Sequence, residues 1–78
     1  MKKKPDNIAI QLGRKLRKLR KERGLTQAEL AKLSGVGDKY LQDLEGKNPR
    51  NANLLTVQKL AKGLDISVSE LINFDEKE

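Results

Sequence analysis

The 78-residue chain has no cysteine and no histidine. Without cysteine it can form no disulfide framework, thiolate zinc site or cysteine nucleophile; without histidine the usual general base and the commonest metal ligand are missing too. Most enzyme classes lose their chemistry, and the chain reads as a non-enzyme with neither metal nor cofactor. One Phe, one Tyr and no Trp are too few aromatics for the stacking platforms that bind single strands or RNA. No apolar run approaches the roughly 18 to 20 residues of a membrane span, and Lys2 to Lys4 lead into no signal-peptide core. These absences predict a soluble cytoplasmic protein with no membrane partner.

What remains is charge and helical pattern. Lys plus Arg number 17 and Asp plus Glu 11, for a net charge of +6. Through Arg23 there are ten bases and two acids, net +8; from Gly24 onward seven bases meet nine acids, net −2. A polyanion such as DNA is therefore drawn toward one end of the molecule. A solvated helix face beside a disordered basic arm would give the same count. The length suits one small domain with a thin core, and no fused sensor domain is expected.

Periodicity predicts five short helices and no strand. Ile8, Leu12, Leu16 and Leu19 line one face of the first, with Arg14, Arg17, Lys18 and Lys21 off that row. Arg23-Gly24 ends it. Thr26-Gln27-Ala28-Glu29 is a capping-box sequence opening a second helix that runs to about Leu33 and buries Leu30 and Ala31. Gly35-Val36-Gly37 breaks the chain before a third helix from Asp38, whose apolar row is Leu41 and Leu44. A polar turn, Gly46 to Ala52, precedes a fourth helix capped by Asn53 and carrying Leu54, Val57, Leu60, Ala61 and Leu64. Ser67-Val68-Ser69-Glu70 is a second capping-box sequence. The organisation is a basic arm over 1–7, a helical domain over 8–74 and an acidic tail over 75–78. Gly35-Val36-Gly37 also mimics the start of a nucleotide-binding fingerprint, but it follows a helix, and Tyr40 stands where the third Gly belongs.

Two helices joined by a short Gly-containing break form a helix-turn-helix pattern. The stretch from Leu25-Thr26-Gln27-Ala28-Glu29-Leu30-Ala31 through Ser34-Gly35-Val36, Tyr40-Leu41 and Leu44-Glu45 resembles the phage-repressor and Cro type of helix-turn-helix regulators, the Xre-like family. The likeness continues through Leu60-Ala61-Lys62-Gly63-Leu64-Asp65-Ile66-Ser67-Val68-Ser69-Glu70-Leu71 and covers roughly residues 8 to 73. It implies an all-α, five-helix, lambda-repressor-like domain whose third helix enters the major groove of double-stranded DNA.

The resemblance also implies roles. Gln27, with Thr26 beside it, matches a phosphate-contacting position at the start of the second helix, where free amides suit an anion. Gly37, Asp38, Lys39, Gln42 and Asp43 become the candidate readers: Lys39 for guanine, Gln42 for adenine, Asp38 or Asp43 for cytosine. Tyr40 matches a position near the backbone, and packing of its ring is the other reading. Glu45 matches a position that forms a buried pair with an Arg on the first helix, here Arg20. Lys47, Asn48, Arg50 and Asn51 in the polar turn are candidate phosphate donors. The sequence departs from the family at Gly37, where Ser or Thr is usual, and in the turn after Glu45, which is longer than in many relatives. The third helix is acidic, net −2 over residues 37 to 45, which opposes entry into a negative groove unless Glu45 is withdrawn by its pair.

A core of this size is expected to supply only about 3 to 5 kcal/mol. Ile66, Val68, Leu71, Ile72 and Phe74 form an apolar group near the end of the chain; in relatives this region meets across a twofold axis, and closing the monomer's own core is the other reading, either of which can hold for different members. The expectation is a homodimeric repressor reading a palindromic operator, its half-sites about 34 to 36 Å apart. A restriction-modification controller, an antitoxin-like regulator and a protein-interaction adaptor that has lost DNA binding stand as alternatives. An unidentified regulatory protein is a further possible partner.

Overall fold

Helix α1 (Ile8–Glu22) is followed by α2 (Gln27–Ser34), α3 (Asp38–Glu45), α4 (Leu54–Gly63) and the single turn α5 (Val68–Leu71). The computed structural model describes residues 8–46 and 52–74, among which there is no strand. The expected arm, the tail and Lys47, Asn48, Arg50 and Asn51 lie outside the described residues.

Local chemistry sets the helix ends. Thr26 and Glu29 form a complete capping box: the Glu29 amide donates to Thr26 Oγ1 at 3.0 Å and the Thr26 amide to Glu29 Oε1 at 2.8 Å. Asn53 Oδ1 accepts from the Thr56 amide at 2.8 Å and Ser67 Oγ from the Glu70 amide at 3.0 Å. Helices α1, α2 and α4 end in one motif, in which an amide reaches five residues back: Leu25 to Arg20, Val36 to Ala31, Ile66 to Ala61. That motif needs a left-handed residue, supplied by Gly24 (φ 67°), by Gly35 (φ 74°) and, unusually, by Asp65 (φ 63°).

The core joins Leu12 and Leu16 of α1, Leu30 and Ala31 of α2, Leu41 and Leu44 of α3, Val57, Leu60 and Ala61 of α4, and Leu64 and Leu71 beyond. Helix α1 packs on α3 and α2 on α4; α2 and α3 touch, and α5 closes against α4 and α1. Ser34 lies on Gly63, so α2 and α4 approach closely there, and the Ser34 hydroxyl is buried without a hydrogen-bond partner among the described residues.

Two residues of the apolar rows stand outside the core. Ile8 is 68% exposed and Leu54 79% exposed. Each stands in the first turn of its helix, outside the buried stripes Leu12-Leu16-Arg20 and Val57-Leu60-Ala61. Both line an apolar groove with Ala9, Leu12, Ala52, Val57, Ile72 and Phe74. On α1 the buried row ends on Arg20, a charged side chain, while Leu19 is half-buried.

Candidate nucleic-acid interface

Leu41 and Leu44 pin one face of α3 into the core, which turns Asp38, Lys39 and Gln42 outward, all exposed. These positions are i, i+1 and i+4 on a helix and share a face. Gly37 caps α3 without a side chain, so no hydroxyl spends the amides of its first turn; the earliest α3 bond runs from the Leu41 amide to the Gly37 carbonyl at 3.1 Å. Among the described residues the amides of Asp38, Lys39 and Tyr40 have no intrahelical acceptor, and Asp38 sits where the helix dipole favours an anion. Asp43 is half-buried and already engaged. Tyr40 is half-buried, its ring packed against the core.

An ion pair fastens the far end of α3. Arg20 Nε donates to Glu45 Oε2 at 2.9 Å and Arg20 Nη2 to Glu45 Oε1 at 3.0 Å, with the side chains 11% and 3% exposed. Arg20 Nη1 donates to the Leu25 carbonyl at 2.8 Å. Gln27 Nε2 donates to Glu45 Oε1 at 3.1 Å. One carboxylate thus gathers α1, the start of α2 and the end of α3, and its charge is withdrawn from the exposed face. Gln27 keeps its side-chain carbonyl and its backbone amide, which has no helical acceptor at that position.

Close packing supports the same junction. A Cβ on Gly13 would collide with the Leu44 carbonyl, so α1 and the last turn of α3 touch backbone to backbone. Sequence reasoning missed Gly13, and also Arg14 and Arg17, which line a cleft with Ile10, Gly13, Glu45 and Gly46. The signal available was that Arg14 and Arg17 lie three residues apart, off the apolar row.

Near the C-terminus, Ile66, Val68 and Phe74 are half-buried against the core and Ile72 is 44% exposed. Leu71 corrects the expected dimer surface: it is fully buried in its own subunit, because the α5 turn points it between α1 and α4. A surface for a second copy therefore excludes it.

A bihelical unit with one helix pinned by two leucines and presented outward defines a helix-turn-helix protein. The helix-turn-helix family model matches residues 16–71, and the chain belongs to that family. It is 38% identical over 74 residues to the control protein C.MunI of a Mycoplasma species, covering 94% of this chain and 99% of that one. It is similar in structure to the restriction-modification controller C.AhdI from Aeromonas hydrophila, with TM-score 0.75 and 41% identity over 81% of this chain and 94% of that chain. It is also 34% identical over 62 residues to the transcriptional regulator SinR of Bacillus licheniformis, covering 80% of this chain but only 56% of that protein's length. A SinR structure solved in complex with DNA superposes with TM-score 0.73 at 32% identity, over 80% of this chain and 98% of that chain.

Proposed function

We propose that the chain is a sequence-specific, duplex-DNA-binding transcriptional regulator of the cytoplasm, acting as a homodimeric repressor and not as an enzyme. The observation that carries the reading is the outward face of α3: Asp38, Lys39 and Gln42 are exposed while Leu41 and Leu44 hold the helix from behind. In this reading Lys39, Gln42, Asp38 and Asp43 address base edges, with Gly37 allowing close approach. Thr26, Gln27 and Tyr40 address the DNA backbone, and Lys47, Asn48, Arg50 and Asn51, outside the described residues, are assigned to phosphate by their side-chain chemistry alone. Withdrawal of Glu45 into its pair with Arg20 leaves the acidity of α3 to Asp38, which a helix N-terminus tolerates, and to the half-buried Asp43. That arrangement supports DNA binding despite the local net charge.

A second copy would meet this one through Ile66, Val68, Ile72 and Phe74; the exposed Ile72 beside the apolar groove supports that placement. Among regulators, a restriction-modification controller is a reading supported by the near end-to-end match with C.MunI. Genes for a nuclease and a methyltransferase beside this one would bear on it.

Selection of bound duplexes from a random pool tests the proposal. A palindromic consensus with half-sites one turn apart is the expected outcome. Failure to retain any duplex, even at low salt, would favour a protein-interaction adaptor instead.

A further inference from the structure

Arg14 and Arg17 stand one turn apart on the exposed edge of α1, beside the end of α3. With Ile10, Gly13, Glu45 and Gly46 they line a cleft of about 460 Å³. We propose that this cleft seats a phosphodiester of the DNA backbone between the Arg14 and Arg17 guanidiniums, so that α1 adds a contact strip alongside the helix-turn-helix. The inference rests on the DNA-binding reading above and extends it to residues outside that motif.

Charge decides the sign of the cleft. Two arginines bring +2. The one carboxylate that lines it among the described residues, Glu45, is cancelled by the bidentate bond from Arg20, and its side chain is only 3% exposed. The carbonyl end of α3 contributes roughly half a negative charge. The balance is positive by more than one unit, enough to neutralise one phosphate.

Shape agrees with charge. Gly13 and Gly46 have no side chains, so the two helices present bare backbone to the cleft. Position agrees as well: Gln27, at the start of α2, donates to the same Glu45 that lines the cleft, and from Gly46 the chain passes directly into Lys47. A strand that touched the start of α2 at Gln27 would lie near the carboxylate that lines this cleft. Guanidinium pairs are suited to phosphate through their planar forks.

The test compares the full chain with R14Q/R17Q and with a control, K59Q/K62Q, which removes two exposed charges from α4 that line no part of the cleft. Binding to a random-sequence duplex is followed by fluorescence anisotropy from 50 to 200 mM KCl, with a melting curve to confirm that each variant folds. The expected result for R14Q/R17Q is a plot of log affinity against log salt shallower by about 0.9, the signature of one lost phosphate contact, and affinity lower by about eightfold at 0.1 M salt. The loss should be the same on the preferred and on random duplexes, and the control should keep the slope of the unmodified chain. An unchanged slope in R14Q/R17Q, or a slope equally reduced in the control, overturns the cleft assignment while leaving DNA binding intact. If the unmodified chain binds no duplex at low salt, both readings fall.

Discussion

Replacing Arg20 by Met keeps most of the aliphatic stem but strips the Glu45 carboxylate of two of its three donors among the described residues, leaving Gln27 Nε2 at 3.1 Å. The carboxylate is 3% exposed, so water cannot substitute without opening the junction of α1 and α3. Removing one partner of a buried pair costs about 3 to 5 kcal/mol, and the Leu25 carbonyl loses its charged donor as well. That equals the whole stability expected of a core this size, about 3 to 5 kcal/mol. The variant should be largely unfolded at room temperature. The converse change, Glu45→Ala, should cost less, because Arg20 keeps the Leu25 carbonyl and, at 11% side-chain exposure, is nearer water. A double change, Arg20→Met with Glu45→Leu, should recover part of the loss, since no buried charge is left unpaired. Urea unfolding followed by circular dichroism, run in sodium sulfate to bring every variant into range, gives the three free energies. If both single variants unfold within 1 kcal/mol of the parent, or if the losses simply add, the pair is not the brace described.

Three other outcomes are expected. Lys39→Ala or Gln42→Ala should weaken binding to the preferred duplex by about 1 to 3 kcal/mol and relax selectivity at one base pair; an equal loss on all sequences, measured by competition, would make them backbone contacts. Gly13→Ala should destabilise by about 1 to 3 kcal/mol despite the better helix propensity of Ala, because its Cβ meets the Leu44 carbonyl; a rise in the melting temperature would refute the close approach. Asp65→Gly should stabilise by up to about 1 kcal/mol by relieving a left-handed residue at φ 63°, and a lowered urea midpoint would show that the Asp side chain contributes more than its strain removes.

The sequence alone determined the helices and their ends. Thr26 with Glu29, Asn53 with the Thr56 amide, and the left-handed Gly24 and Gly35 act within a few residues, so spacing reveals them. The core leucines of α2 and α3 followed from periodicity for the same reason. The Arg20–Glu45 pair spans 25 residues, and only resemblance to a known family pointed to it in advance.

Tertiary structure alone decided the remainder, because it depends on where helices cross. A stripe of apolar residues says which face is buried but not where along the helix its cover begins, and so Ile8 and Leu54 share the apolar rows yet are exposed. For Leu71 the sequence left a surface for a second copy and a place in the core both open, and burial in the fold decides for the core. Gln27 reaching Glu45, Gly13 lying under Leu44, and Arg14 and Arg17 flanking Gly46 are all consequences of one junction between α1 and α3. Nothing local in the chain encodes that crossing; it emerges only when the leucines of both helices are packed together.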